Sequence, residues 1–403
     1  MTSCRSCGTP VIKFFSLGKM PLVNAFLQKK DIPKERRFDL SVGFCPKCYL
    51  VQLIKTVDPK KLFRHYLYFS SATKTIVEHS KQTAEHLIDR LHLSKKSTVL
   101  EIGSNDGVQL QFYKDAGIGI VGVDPAKNIA KIANTKGILT IPAFFNLRLA
   151  KTLVQKRHMQ ADMVYGANVF AHVPAIVDFV RAVSEVLKPK GTAIFEFPYL
   201  GGLLENKFDT IYHEHVFYYS LLAVQNLLVQ ASLEVYDVET IPMQGGSLRV
   251  FICHKGEFPV CPKVLKLEKE ELRKKYNSLS SYRVLNENVQ KLRRNLITLL
   301  KNLTMKGYHI AAYGAPAKGI ILLNYFNIQK YLDFIVDKSV VKQGLYAPGV
   351  HMKIFPFEKI YEEKPEYLLV LPWNISEEII RSLSDYQKRG GKFIIPVPKI
   401  SIL

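Results

Sequence analysis

The sequence predicts an α/β protein in three parts: a small metal-type module, then two units of alternating strand and helix. Three observations predict it. Four of the six cysteines fall in two Cys-x-x-Cys pairs near the start. Buried-strand runs that end in glycine turns occur around 98–124 and again around 309–337. Between these units, Leu285, Val289, Leu292, Leu296 and Leu299 keep helical spacing within Pro262 to Lys301. At 403 residues the chain exceeds one ordinary core, so two or three domains are expected.

The composition is globular, 47% hydrophobic and 23% charged, with no low-complexity tract. No apolar run approaches the ~20 residues of a membrane span, and Met1-Thr2-Ser3-Cys4 does not begin a signal peptide. The expectation is a soluble cytoplasmic protein with no membrane partner. Lys plus Arg total 56 against 35 acidic residues, a net charge of +21. That balance suits anionic partners, from phosphorylated small molecules to nucleic acid. The lysines are scattered, however, and no aromatic-interleaved basic stripe stands out, so nucleic acid is the less favoured partner.

The first cysteine pair is Cys4-Arg5-Ser6-Cys7 and the second Cys45-Pro46-Lys47-Cys48. Each such turn offers two thiolates to one metal, and two turns complete a tetrahedral zinc site. Gly8 follows the first pair, as tight zinc turns often require. The 37 residues between Cys7 and Cys45 exceed ribbon spacing, so a small insert lies between the knuckles. Independent redox pairs are the alternative, but neither sits in a strand-to-helix context. Cys253 and Cys261 read as ordinary thiols.

Next, Thr75 to Leu93 has helical apolar spacing. Thr98 to Gly103 reads as a buried strand running into a glycine turn, closed by Ser104-Asn105-Asp106-Gly107. A helix follows from Gln109 to Ala116, and Gly119 to Asp124 is a second strand ending in an acid. This β-α-β unit binds a nucleotide-like ligand at the carboxyl ends of its strands. A dinucleotide turn would show three glycines. This one offers Gly103 and Gly107, with Asn105 between them, a residue that tolerates left-handed backbone. Glu101 before the turn is unlike a dinucleotide site. It resembles motif I of class I S-adenosylmethionine methyltransferases, in which Asp124 would hold the ribose hydroxyls.

Asp162 to Asn168 reads as the fourth strand, Ile176 to Leu187 as a helix, Lys188 to Gly191 as a turn and Thr192 to Pro198 as the fifth strand. After it comes Tyr212-His213-Glu214-His215, near the ligand-binding edge of the sheet. Histidines beside a carboxylate suit proton transfer, and they also suit a metal. If the run is extended, His213 and His215 share a face; if it turns, Tyr212 stands over His215. A quiet polar loop is the third reading. Gln244 to Arg249 reads as a turn into strand Val250-Phe251-Ile252, either a plain hairpin or a source of ligand contacts through Ser247 or Arg249. Beyond the long helix, His309 to Tyr313, Phe334 to Asp337, Tyr367 to Leu371 and Lys392 to Pro396 are strands. The turn Gly314 to Gly319, with Lys318, opens a helix through Asn324. A second Rossmann-like unit is the simple reading, and it either binds phosphate or only packs.

Taken in order, the paired cysteines, Glu101 to Gly107, Asn168 to Val173, Tyr212 to Val216, Gly245 to Arg249, Tyr313 to Gly319 and Leu371-Pro372-Trp373-Asn374 resemble the nucleotide-sugar C-methyltransferases. The resemblance covers nearly the whole chain. It implies an α/β fold with an N-terminal zinc-binding module (1–65), a class I methyltransferase Rossmann-like core (66–260), a linker helix (261–305) and a C-terminal Rossmann-like domain (306–403). The implied cofactors are S-adenosylmethionine and a structural Zn2+ held by Cys4, Cys7, Cys45 and Cys48. The implied S-adenosylmethionine contacts are Glu101, Gly103, Asn105, Asp106, Gly107, Asp124, Pro125 and Asn168.

The implied reaction is methyl transfer to C3 of a 4-keto-deoxyhexose on dTDP or GDP, by a monomer. His215 would take the C3 proton to give an enediolate. Tyr212 and His172 would donate to its oxygen or position the sugar, Glu214 would orient a histidine or grip a hydroxyl, and Tyr68 would complete the site, with Tyr66 close enough to leave the register open. The alternative is a zinc-containing RNA or protein methyltransferase that uses the basic surface. Transfer to an already nucleophilic nitrogen would leave the titratable cluster and the third unit without a purpose. A metal enzyme built on His213 and His215 lacks further ligands at useful spacing. A non-catalytic sugar-nucleotide binder would not need Glu101, Gly103 and Asp124 together.

Overall fold

The structure, a computed structural model, describes residues 2–63, 69–72 and 74–403. The expected insert between the cysteine pairs is a sheet. Strand β1 (Ile12–Pro21) pairs antiparallel with β2 (Arg37–Phe44), which pairs with β3 (Val51–Leu53). A short helix α1 (Pro59–Phe63) follows. Phe15, Leu17, Leu40, Val42 and Leu53 alternate with Ser16, Ser41 and Gln52 in the period-2 pattern of strands, and from Leu40 on both faces of β2 and all of β3 are buried.

The middle of the chain runs α2 (Lys74–Leu91), β4 (Thr98–Ile102), α3 (Val108–Asp115), β5 (Gly119–Val123), α4 (Lys127–Thr135), β6 (Thr140–Ile141), α5 (Leu147–Arg157), β7 (Ala161–Ala167), α6 (Ile176–Val186) and β8 (Leu187–Pro198). After α7 (Leu200–Leu204) come β9 (Phe217–Tyr218), α8 (Leu221–Leu228), β10 (Leu233–Ile241) and β11 (Ser247–His254). Seven of these strands form one sheet in the order β10-β11-β8-β7-β4-β5-β6. Strands β4 to β8 are mutually parallel and β11 is antiparallel to both of its neighbours. The order reverses between β4 and β7, which opens a crevice at their carboxyl ends.

Two details differ from the sequence reading. The expected turn at Lys188 to Gly191 is part of β8, where Lys190 takes a positive φ of 57° and the register to β7 shifts. A bulge there does the work of the turn. The hairpin strand also begins earlier, at Ser247.

Strand β9 does not join this sheet. It pairs with β3, Val51 opposite Tyr218 and Gln52 opposite Phe217, and completes the N-terminal sheet as β1-β2-β3-β9. The stretch read as one linker helix is two, α9 (Pro262–Arg273) and α10 (Ser280–Met305), parted where Lys275 turns left-handed at φ 56°. Along α10 the buried set is Tyr282, Leu285, Val289, Leu292, Leu296, Leu300 and Leu303, so the seam passes through Leu300 while Leu299 is half-buried. The last sheet follows: β12 (Ile310–Tyr313), α11 (Ala317–Phe326), β13 (Ile335–Val336), β14 (Ile354–Phe355), β15 (Tyr367–Val370), β16 (Lys392–Ile395) and β17 (Ser401–Ile402), in the order β14-β13-β12-β15-β16-β17. One continuous core joins the N-terminal sheet, α10 and this last sheet. No helix among the described residues is long and apolar enough to cross a membrane.

A buried polar network fastens α2 to the middle sheet. Arg249 donates to Glu196 and Glu239, both at 2.8 Å, and to Thr83 Oγ1 at 2.9 Å. Glu196 also accepts from Tyr165 at 2.8 Å and meets His79 at 3.1 Å. Of the two readings open to Arg249, the plain hairpin matches this network, which engages its guanidinium on three sides. Ser247 donates to Met243 O at 3.0 Å. Burial alone would raise the Glu196 carboxyl, but His79, Arg249 and Tyr165 outweigh it and hold it below the ordinary 4.5. Its depressed pKa adds stability at neutral pH that is lost as the pH falls through and below that range. Arg249→Ala takes the guanidinium from buried Glu196, while Glu239 keeps Arg90 and His86, and is expected to cost about 3–5 kcal/mol, measured by denaturant unfolding. Arg249→Met, which fills the same space, should cost as much because buried Glu196 remains without its guanidinium.

Candidate functional site

The crevice is built by the turn after β4. Gly103 sits at φ +71° and donates to Val123 O at 2.8 Å, and Asn105 is left-handed at φ 48°. Gly107 (φ +82°) caps α3, where an added Cβ would lie 2.6 Å from Ile138 Cδ1, so glycine is required there. Asp124, at the end of β5, accepts from Asn105 N at 3.0 Å and from Ala126 N at 2.8 Å. Pro125 follows it, half-buried. Asn168, left-handed at φ 55°, donates its N–H to Glu196 O at 2.8 Å just past β7. All eight residues expected around this ligand thus lie on or near the carboxyl edge of β4, β5 and β7. Asn105 Oδ1 accepts from Ser70 N at 3.0 Å, and Asp106 accepts from Ser71 Oγ and from Lys136 Nζ at 3.2 Å.

The electrostatics of this edge ask for donors. Glu101 Oε2, Ser104 Oγ and Asp106 Oδ1 are buried without a hydrogen-bond partner. Burial, with Asp124, Asp106 and Glu196 nearby, pushes the Glu101 carboxyl well above its usual range, and burial raises Asp124. A ligand with ribose hydroxyls and an ammonium group would satisfy these acceptors.

The Tyr212 to His215 run turns. His215 N donates to Tyr212 O at 3.0 Å, which brings the two rings within 3.9 Å in a tilted contact. His215 Nδ1 lies 2.9 Å from Thr210 O. A carbonyl only accepts, so Nδ1 carries the proton and Nε2 presents its lone pair, to which Tyr212 OH donates at 2.5 Å. His172 stacks on the other side at 5.1 Å. Its Nε2 is buried without a hydrogen-bond partner, and burial pushes its pKa down to about 4. Burial, then His172 and Lys318, hold His215 well below the ordinary 6.5 against the opposing Thr210 carbonyl. Both imidazoles are therefore neutral at neutral pH.

The other two members of the run face the N-terminal sheet. His213 Nε2 meets Phe38 O at 3.3 Å, and Glu214 accepts from Asn24 Nδ2 at 2.6 Å. His213 and His215 thus point to different partners, and the metal reading of this pair falls away. Phe63 stacks on His172 at 5.7 Å. Tyr68 and its neighbour Tyr66 lie outside the described residues. Sequence reasoning missed Asn24 and Asp209. Asp209 is fully buried and accepts from Trp373 Nε1 at 2.6 Å, beside Lys318, whose ammonium sits 5.0 Å over the Trp373 ring. Only the run Leu371 to Asn374 and Lys318 had drawn notice.

The four cysteines form a second site. Their sulfurs lie within 4.8 Å of one another, with Cys4 and Cys48 at 3.5 Å and Cys7 and Cys45 at 3.4 Å. The knuckles match: Gly8 N donates to Cys4 O and Tyr49 N to Cys45 O, both at 2.9 Å, and both residues are left-handed. Four thiolates in this arrangement fit tetrahedral zinc. It is the only such cluster among the described residues. Gln52 Nε2 donates to Cys4 Sγ at 3.1 Å, while its Oε1 holds Arg5.

Comparison with known proteins shows the family and the domains in which these residues lie. Residues 4–63 match a family of zinc binding domains, 76–238 a family described as "Methyltransferase domain" and 242–398 one described as "C-methyltransferase C-terminal domain". The curated C-methyltransferase NovU of Streptomyces niveus is 35% identical over 99% of this chain and 96% of its own length. The chain belongs to the S-adenosylmethionine-dependent C-methyltransferases. Looser likenesses include the PH0226 protein from Pyrococcus horikoshii OT3 (15% identity, TM-score 0.37, 50% of this chain and 100% of that one). Magnesium protoporphyrin IX methyltransferase from Synechocystis PCC 6803 is another (13%, TM-score 0.35, 44% and 82%).

The enzyme uses S-adenosylmethionine and zinc. The zinc site has no open position, so its role is to hold structure. Metal analysis should return one zinc for each chain, retained through dialysis. In Cys45→Ser the metal should be absent and the melting temperature lowered; a fully folded, metal-free wild-type preparation would contradict the assignment.

Proposed function

We propose that this C-methyltransferase methylates C3 of a 4-keto-deoxyhexose carried on a nucleoside diphosphate, dTDP or GDP, and that His215 is the general base. The observation that carries the reading is the tautomer of His215: with Nδ1–H tied to Thr210 O, the basic Nε2 faces Tyr212 at the ligand edge of the sheet. A carbon α to a ketone is nucleophilic only after losing its proton, whereas a nitrogen of RNA or protein would need no such base. Bound S-adenosylmethionine supplies the electrophilic methyl. Glu101 and Asp124 would hold its donors, with Gly103 to Gly107 as the backbone cradle and Asp106, Pro125 and Asn168 around it.

His215 Nε2 takes the C3 proton, and the electron pair of that C–H bond moves toward the C4 oxygen. The burial that keeps this imidazole neutral also makes it a weak base, so the enediolate oxygen needs donors of its own. Tyr212 O–H, released from Nε2 as the substrate enters, and His172 Nε2 would serve as those donors. Glu214 is held by Asn24 and braces the turn. Tyr68 is assigned to the same site by family resemblance. The net charge of +21 suits a diphosphate substrate.

His215→Asn should lower methyl transfer by at least ~10²-fold, followed with labelled S-adenosylmethionine and a panel of 4-keto sugar nucleotides, and leave cofactor affinity unchanged by calorimetry. Full turnover in that variant would remove the base assignment. Asp124→Asn should weaken cofactor binding by about tenfold with zinc content unaltered. In the wild type the acid limb of kcat/KM should fall below the ordinary histidine value of 6.5, because the base must be neutral and its pKa is depressed.

A further inference from the structure

Asp209 is an acid in an unlikely place: burial raises its carboxyl pKa, and Lys318 and the Trp373 indole oppose that rise. It is fully buried in the 3₁₀ turn Phe208–Thr210, Oδ2 takes the indole N–H of Trp373 across 164 residues of chain, and Oδ1 has no hydrogen-bond partner. Trp373 follows β15 and Lys318 lies in the first turn of α11, so both partners come from the C-terminal sheet. Lys318 is 7% exposed, stands over the Trp373 ring and is the cation nearest in charge terms to Asp209. The residue after Asp209 is Thr210, whose carbonyl takes His215 Nδ1–H and whose Oγ1 lies 3.3 Å from the same nitrogen. The carboxylate and the atom that orients the imidazole are therefore one peptide apart.

A buried acid, a buried ammonium and an indole N–H are a poor way to fill space. Apolar residues of the same volume would commonly be at least as stable. What the polar trio supplies is direction: a hydrogen bond to the buried Asp209 carboxyl holds that residue, and the backbone that continues into the Thr210 carbonyl, more tightly than apolar contact would. We propose that Asp209 is a positioning residue for the base, and that Trp373 and Lys318 are the means by which the C-terminal domain sets it. The indole–carboxylate bond fixes the Thr210 carbonyl, and the Thr210 carbonyl fixes where His215 Nε2 points. The proposal rests on His215 being the base.

The groups that face His215 define the expected signs. Tyr212 and Tyr218 come from its own segment, His172 from the turn after β7, and Lys318 from α11, while Glu214 is turned to Asn24. Lys318 opposes protonation of His215, and Asp209 offsets that charge. Lys318→Met should therefore raise the His215 titration point, and Asp209→Asn should lower it by removing an acid that offsets the Lys318 charge.

The test compares Trp373→Phe, Asp209→Asn, Asp209→Ala, Lys318→Met and His215→Asn in the full zinc-loaded chain. Trp373→Phe keeps the ring under Lys318 and removes only the donor. Its kcat should fall between about tenfold and a hundredfold, with cofactor affinity and zinc content unchanged and KM for the sugar nucleotide moving less. Asp209→Asn, whose amide oxygen still accepts the indole N–H, should retain more turnover than Asp209→Ala. NMR titration of ring-labelled histidine, with the His215 signal assigned by its absence in His215→Asn, should move in the directions given. Wild-type kcat in a folded Trp373→Phe enzyme together with unmoved titrations overturns the proposal. If Trp373→Phe does not fold, unmoved titrations in Asp209→Asn and Lys318→Met overturn it instead. Turnover by His215→Asn would remove the base reading itself, a separate failure.

Discussion

The molecule depends on one short backbone relay. Leu53 N–H donates to Val216 O, and Val216 N–H donates to Ala171 O, both at 2.8 Å. The first bond belongs to the meeting of β3 with β9, the second to the turn that carries His172. A strand two positions from the zinc cluster, the segment holding His215 and the ligand edge of the methyltransferase sheet are thereby spaced by hydrogen bonds with almost no freedom. Such groups, buried away from water, cannot exchange partners without cost. Gln52 extends the relay to the metal through Cys4 Sγ. The zinc module is therefore a wall of the active region and not an appendage.

Desolvation sets the charge state on both sides of the crevice, in opposite directions. It drives the acids Glu101 and Asp124 toward their neutral forms and the imidazoles His172 and His215 toward theirs. The cofactor edge thus gathers acceptors that gain from donor-rich ligands, and the proton-handling edge keeps rings that are uncharged and ready to accept. Glu196, buried a few residues away, shows the contrast: with Arg249, His79 and Tyr165 around it, it stays ionised. Partners decide the outcome more than depth does.

Much of this was legible in the sequence where the signal is local. The run Thr98 to Gly107, the acid closing β5 and the two cysteine pairs carry their structure in adjacent residues, and of the two geometries open to Tyr212–His215, the structure adopts the turn. What escaped was set by contacts distant in sequence. Nothing near Asn24 points to Glu214, 190 residues on, and nothing near Asp209 points to Trp373. A glycine turn before Arg249 left a plain hairpin and a ligand contact both open, because its acids Glu196 and Glu239 sit on two other strands. The bulge at Lys190 and the break at Lys275 were read as a turn and as continuous helix because a single left-handed residue leaves no period in the sequence.

The pairing of β3 with β9 also bears on how the chain acquires its fold. The knuckles and three strands of the N-terminal sheet are complete by Leu53, yet the fourth strand is Phe217–Tyr218. During synthesis the early segment can close around its metal long before its sheet has an outer neighbour. Until that strand emerges, β3 is an open edge of Val51, Gln52 and Leu53, all buried in the finished protein and without a charge to discourage pairing with another chain. A fragment ending near residue 65 would keep that edge for good. Since its core is also continuous with α10 and the last sheet, the zinc module gains its full burial only once the rest of the chain is made.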